Sequence, residues 1–287
     1  MGFKVALITG GASGIGLATA EELAKQGGWK LHIIDIHEER GKAAAQALPD
    51  TTFHKVDIRN YADLCGVFRN VFEADKQLDF VFANAGIIER SNFYENHGDS
   101  SAPPPLPDLA TIDTNLRGTI YTTNLAIHYF RLSPHKGAGA NLVMTSSAAG
   151  IYPMYYSPVY SASKHGIVGF MRSIAPILHK DGIRTNVLLP GLVRSNILEE
   201  AAWAAFPAEA VTPAKLMADA VLQVIGGGDM TDARGVTIAG PKLYGRSVEV
   251  AVDRFYFREQ PEYCDDKMRA LIESTGDDAQ LGTLVSE

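Results

Sequence analysis

Only two cysteines occur in 287 residues, and Cys65 and Cys264 lie far apart. That scarcity excludes a disulfide framework and a cysteine metal cluster, and it fits a reducing compartment. Basic residues are also in deficit: 26 Lys and Arg against 33 Asp and Glu leave a net charge of −7. With no basic stripe, nucleic acid is not an expected partner. No apolar run reaches the roughly 20 residues that span a bilayer, so no membrane association is expected. The first residues carry no secretory pattern. Met1-Gly2 resembles a myristoylation start, but Ala6 stands where Ser or Thr is wanted. The expectation is a cytoplasmic protein without a metal ion. Solenoid-type repeats are missing as well.

Hydrophobic residues at 46% against charged residues at 21% supply a real core. Apolar stretches of strand length alternate with helical ones. Residues 4–9 read as a buried parallel strand. A loop Thr9-Gly10-Gly11-Ala12-Ser13-Gly14-Ile15-Gly16 and a helix over 17–26 follow. Strand, glycine loop and helix are the setting of a dinucleotide site. Its glycines admit close backbone approach, and the helix N-terminus faces the pyrophosphate. A second strand, 31–36, carries Asp35, which is 19 residues past Gly16. An acid there binds ribose hydroxyls and repels a 2′-phosphate, so NAD is favoured over NADP. The competing reading of Asp35 is a helix N-cap.

A helix over 38–48 and a third strand over 52–56 come next, closed by Asp57-Ile58. An acid at this point is suited to accept from the adenine amino group. A helix over 62–74 leads to a fourth strand, 78–83, and then Asn84-Ala85-Gly86, small enough for a cofactor to lie against backbone. The rhythm predicts a doubly wound α/β sheet. The irregular, proline-rich piece over 87–107 is either a substrate-pocket wall or a surface insertion. A long helix over 108–130 contains Asn115, and a fifth strand over 141–147 ends on Ser147. An aromatic loop with Tyr152, Met154, Tyr155 and Tyr156 is suited to line an apolar pocket.

Tyr160 and Lys164 are four apart on the next helix, so they share a face. An ammonium beside a phenol favours the phenolate, which predicts a Tyr160 pKa below its usual value of about 10. A sixth strand over 183–189 ends in Pro190-Gly191. Residues 192–206, with Ser195, Ile197, Leu198, Trp203 and Phe206, read as a lid or as a simple packed helix. A helix over 213–225 and a seventh strand over 234–239 close the domain. Residues 1–245 are expected to form it, with 246–287 as a partly disordered extension holding a helix over 265–273. His128 and His165 have no second ligand at metal spacing.

The glycine loop, Asn84-Ala85-Gly86, Asn115, Ser147, Tyr160, Lys164 and Pro190-Gly191 resemble, in order and spacing, the short-chain dehydrogenase/reductase family over residues 4–240. Ser147 precedes Tyr160 by thirteen residues, the family separation. The stretches 158–170 and 190–199 are similar to 15-hydroxyprostaglandin-dehydrogenase-like members. Three departures are Ala83, where a second Asn is usual, Ser195 in place of Thr, and the proline-rich insertion around 100–107, which is unlike many members and bears on the substrate. The resemblance implies a single-domain Rossmann fold with a seven-stranded parallel sheet and an NAD-dependent enzyme. Its function would be to interconvert a secondary alcohol and a ketone on an apolar, steroid-, lipid- or polyketide-like small molecule. It implies Asn115, Ser147, Tyr160 and Lys164 as catalytic residues, with Asn115 holding a water that links Lys164 to solvent. It also implies NAD contacts from Gly10, Ser13, Gly14, Ile15, Gly16, Asp35, Asp57 and Ile58. Further contacts come from Asn84, Ala85, Gly86, Tyr160, Lys164, Pro190, Gly191, Val193 and Ser195. A homodimer or homotetramer built on the helices of Tyr121 and Phe170 is expected. The same scaffold also serves non-redox isomerases, cyclases and non-catalytic dinucleotide-binding regulators, and these stay open.

Overall fold

The computed structural model describes residues 2–98, 103–197 and 200–276. An eight-stranded sheet forms the middle layer, in the order β12-β11-β6-β5-β4-β1-β2-β3. Its first six strands by sequence are β1 (Lys4–Thr9), β2 (Trp29–Asp35), β3 (Thr51–Lys55), β4 (Phe80–Ala83), β5 (Asn141–Thr145) and β6 (Arg184–Pro190). All pair in parallel. A parallel sheet needs both faces covered, and the sequence meets that need with side chains apolar on both sides of the pleat. In β1, Val5 and Leu7 enter one core while Ala6 and Ile8 enter the other.

Helices α3 (Tyr61–Asp75), α4 (Gly118–Leu132) and α5 (Pro158–Lys180) cover the first face. On the second face lie α1 (Gly14–Gln26), α2 (Glu38–Ala47) and α7 (Ala214–Gly226), with α7 packed along α1. The chain order reverses between β1 and β4. In a doubly wound sheet that reversal opens a crevice at the carboxyl ends of the strands, where ligands bind.

The seventh parallel strand is not where the sequence placed it. Residues 234–239 turn back on themselves instead: β10 (Thr237–Ile238) pairs only with β9 (Met230–Thr231), antiparallel. The Asp232 carboxylate gathers the backbone N–H groups of Arg234, Val236 and Phe257, which pins the hairpin to the sheet edge. The seventh strand is β11 (Ser247–Ala251), parallel to β6, and β12 (Arg254–Arg258) adds an antiparallel edge. Residues past 245 therefore complete the sheet before they form any extension. Ser247 and Glu249 hid this strand, because both are polar yet buried. Glu249 is accommodated by Arg258 at 3.0 Å and the Tyr152 hydroxyl at 3.3 Å.

Beyond the sheet, β7 (Leu192–Val193) pairs with β8 (Val211–Thr212), and α6 (Glu200–Trp203) lies between them. The short helix buries Trp203 while Phe206 stays exposed. Leu198 of the expected lid lies outside the described residues. The last helix, α8 (Asp266–Ser274), falls one residue from its expected place and buries no side chain. Of the tail expected to be disordered from about Thr275, the residues from 277 onward lie outside the described residues. Among the described residues no helix is long and apolar enough to cross a membrane.

Candidate active site

The carboxyl ends of β1, β4 and β5 are stitched together by side chains. Asn84 donates to the Thr9 carbonyl at 3.2 Å and the Gly10 carbonyl at 3.4 Å, and accepts from the Thr145 hydroxyl at 2.9 Å. The Thr9 hydroxyl accepts the backbone N–H groups of Asn84 and Ala85. These bonds hold the glycine loop against the small-residue turn after β4. A Cβ on Gly16 would lie 2.3 Å from the Gly10 carbonyl, so only glycine permits this turn.

The first turn of α1 has no acidic side chain, and the Ser13 hydroxyl makes no cap to it. Its N–H groups and positive dipole end are thus available to an anion. Gly14 has φ +53°, and a Cβ there would come 2.8 Å from Ser195 Cβ. The segment after Gly191 therefore lies directly over the glycine loop. Ile15 is half-buried on the second core. Asp35, at the end of β2, accepts from the Ala12 N–H at 3.2 Å and the His37 N–H at 3.0 Å. Its carboxylate is held beside the same loop and caps no helix through these bonds.

Several predicted contacts are more complicated. Arg59 binds Asp57 through Nε at 2.9 and 3.0 Å. That ion pair and hydrogen bond hold the Asp57 carboxyl below its ordinary range despite partial burial. Ile58 and Val193 are buried in the two cores, which leaves their backbone to face a ligand. Pro190 ends β6 opposite Val250, and the Gly191 N–H donates to the Val250 carbonyl at 2.8 Å.

Asn115, Ser147, Tyr160 and Lys164 come together at the crevice, each buried to at least nine-tenths. The Ser147 side chain lies beside the Tyr160 phenol and acts to lower its pKa, and its hydroxyl accepts from the Ala149 N–H at 3.1 Å. Lys164 Nζ donates to the Thr145 carbonyl at 3.0 Å and lies 5.6 Å from the Tyr160 ring centroid. Ser146 fixes the helix from below, donating to the Lys164 carbonyl at 2.7 Å. A Cβ built on Gly86 would lie 3.1 Å from Asn115 Oδ1 and 3.4 Å from Lys164 Nζ, so the three groups meet across a bare backbone.

The electrostatics differ from the sequence expectation. Burial pushes the Tyr160 phenol above its ordinary value, and the neighbouring Ser147 only partly offsets it. Burial also pushes Lys164 down to about 7. Desolvation penalises both charged forms and outweighs the attraction between them in the ligand-free protein. Asn115 is tied to two segments. Its amide accepts from the Ile87 N–H at 2.8 Å and donates to the Ile87 carbonyl at 2.9 Å and to Ser163 at 3.2 Å. These bonds coincide with a π-helical stretch at Ile112–Arg117, which interrupts the helix expected over 108–130.

The structure gives bonding roles to residues that were not among the expected site residues: Thr9, which opens the glycine loop, and Thr145, Ser146, Ser163 and Glu89. Four are hydroxyl residues whose partners come from distant segments. Glu89 is a buried acid after Ile87-Ile88 whose side chain accepts from the Tyr160 N–H at 2.9 Å. A lone acid in an apolar stretch was its only sequence signal.

The donor set fits a nicotinamide dinucleotide: a bare helix N-terminus for phosphate, a carboxylate at the second strand for ribose, and a buried ammonium at the far end. Comparison with known proteins agrees. The profile described as short chain dehydrogenase matches residues 4–204. The short-chain dehydrogenase/reductase prx7 of Penicillium rubens is 45% identical over 282 residues, covering 95% of this chain and 100% of that one. Human 15-hydroxyprostaglandin dehydrogenase, named as NAD(+)-dependent, is 36% identical over 204 residues, 68% of this chain and 70% of that one. A solved short chain dehydrogenase from Burkholderia cenocepacia in complex with NADP superposes with TM-score 0.69 at 23% identity, over 86% of this chain and 96% of that one. The chain belongs to the short-chain dehydrogenase family, whose members are oxidoreductases that bind a nicotinamide dinucleotide.

Proposed function

We propose that this protein is an NAD-dependent oxidoreductase that interconverts a secondary alcohol and a ketone on a medium-sized apolar molecule. The observation that carries this reading is the buried Tyr160 phenol beside Ser147, with the Lys164 ammonium near the same ring. The dinucleotide supplies the acceptor or donor of hydride. In oxidation the Tyr160 oxygen takes the alcohol proton as hydride leaves the carbinol carbon. The Ser147 hydroxyl orients the substrate oxygen and stabilises charge on it. Lys164, once protonated, lowers the cost of phenolate and presents N–H donors to the nicotinamide ribose. Asn115 holds the Gly86-Ile87 turn that shapes the far wall. In reduction Tyr160 starts protonated, the state that its burial favours, and donates to the carbonyl oxygen.

NAD rather than NADP is supported by the Asp35 carboxylate, fixed by two backbone N–H groups where a 2′-phosphate would have to sit. The human relative named for NAD(+) agrees with that reading. The apolar substrate class is supported by aromatic side chains left in water on the two loops beside the crevice. Phe93 and Tyr94 are on one loop, and Tyr155 and Tyr156 on the other.

A panel of secondary alcohols and ketones of graded size, followed at the NADH absorbance band with both cofactors, tests the proposal. Tyr160→Phe should lose at least ~10³-fold in turnover while NADH binding persists. Near-wild-type turnover in that variant would reject the assignment. Asp35→Ala should narrow the preference for NAD over NADP by at least ~10-fold. Unchanged discrimination would place the ribose contact elsewhere.

A further inference from the structure

We infer that Glu89 is a positioning residue of the catalytic helix: it clamps the start of the 87–107 loop onto the N-terminus of α5 and so holds Tyr160 in register. The inference rests on the role proposed above for Tyr160.

The first turn of a helix has orphan N–H donors, and an N-cap side chain normally satisfies one of them. In α5 the N-cap is Ser157, a residue type suited to the task, yet its side chain makes no cap. Pro158 occupies the first helical position and has no N–H to offer. The Tyr160 N–H is taken instead by Glu89, 71 residues earlier in the chain, at 2.9 Å. The catalytic residue's own backbone is therefore the anchor point of the loop that follows β4.

Two residues before Glu89, both backbone groups of Ile87 are held by the Asn115 amide. Asn115 also binds Ser163, and Ser163 donates to the Tyr160 carbonyl at 2.7 Å. Tyr160 is thus gripped at its N–H by Glu89 and at its carbonyl through Ser163. Both routes return to the same three-residue stretch, 87–89. A displacement of that stretch is transmitted to the backbone that carries the phenol.

The bond to Tyr160 is made at a cost. Glu89 is only 9% exposed, and its Oε1 is buried with no hydrogen-bond partner. The clamp is therefore held against a desolvation penalty that the single bond to Tyr160 only partly offsets.

Hydrogen exchange at the Tyr160 amide tests the clamp without any knowledge of the substrate. In Glu89→Ala that amide should exchange at least ~10-fold faster while amides of β1 and β5 keep their protection. Turnover on a substrate from the panel should fall at least ~10-fold, with KM for NAD within ~3-fold of wild type. Glu89→Gln retains an acceptor oxygen and should restore both readouts to within ~3-fold. Glu89→Asp is one methylene short and should resemble Ala, so it carries the test if the Ala variant does not fold. Unchanged exchange at Tyr160 would overturn the inference. So would faster exchange with unaltered kcat, or a Gln variant as impaired as Ala. If wild type binds NADH but turns over nothing in the panel, the proposed activity fails and the clamp does not fail with it. The readout is then the phenol titration of Tyr160, taken as the difference from Tyr160→Phe. A midpoint shift of at least ~0.5 pH unit in Glu89→Ala supports the clamp, and no shift overturns it.

Discussion

Lys164 is 3% exposed, and the described hydrogen bond of its ammonium goes to the Thr145 carbonyl. A Lys whose folded pKa lies near 7 costs stability at every pH below its unfolded value, because the folded state resists the proton that the unfolded chain takes. The cost is greatest below pH 7 and fades as pH rises from 7 toward 10.5. Lys164→Met should therefore stabilise the ligand-free protein by ~1–3 kcal/mol at neutral pH while abolishing turnover. Chemical denaturation beside an activity assay checks both halves, and a destabilised Met variant would contradict the burial argument. At this scale the residues of the site were legible as letters: Ser147, Tyr160, Lys164 and the glycine loop converge as their order implied. Their acid–base state was not legible. Spacing says which groups are neighbours, whereas the direction of a pKa shift depends on how much water they lose, and here burial pushes Tyr160 up.

Two elements behave differently from their local sequence. Residues 108–130 carry the periodicity of one helix, but its first half is π-helical where Asn115 reaches across to Ile87. Asn115→Ala would leave both Ile87 backbone groups unpaired. We expect a loss of ~1–3 kcal/mol and a much lower kcat, measured by thermal denaturation and by the alcohol panel. At the other end of the sheet, β2 and β3 are joined by a half-buried polar cluster. His32 bonds His54 at 3.1 Å and Asp75 at 2.8 Å. Desolvation lowers the His32 pKa despite Asp75, and it lowers His54 to about 4. Between pH 6.5 and 4 the unfolded chain then holds more protons than the folded one, so stability must fall as pH falls through that window. We expect a loss on the order of 1 kcal/mol between pH 7 and 5, after allowing for solvent screening. The slope should be shallower in His54→Gln, and equal slopes would remove this pair as the cause. Local propensity exposed neither case, since each depends on a partner from another segment.

For the molecule as a whole, the sheet continues past residue 245. A chain cut there loses β11 and β12, exposes the β6 edge and frees Asp232 from the Phe257 N–H. We expect that truncation to be insoluble. A chain ending at 260 retains every described strand, and α8 is the only described element it loses; α8 buries no side chain, so the Tm of the shortened chain should stay within ~4 °C of the full chain. A homodimer or homotetramer through α4 and α5 remains our expectation for the assembly. Sedimentation of the wild type against Phe170→Glu checks it, with a shift to monomer expected in the variant. From sequence alone came the alternation of strands and helices, the doubly wound class, the glycine loop and the Ser147, Tyr160 and Lys164 triplet. These are periodic or closely spaced features, encoded by local chemistry. Only the tertiary structure decided which strand sits seventh, that Glu249 is buried beside Arg258 and that the helix around Asn115 is π-helical. It alone brought Glu89 to the backbone of Tyr160. Such features join residues tens of positions apart, and a buried polar side chain reads like a surface one until its partner is in place.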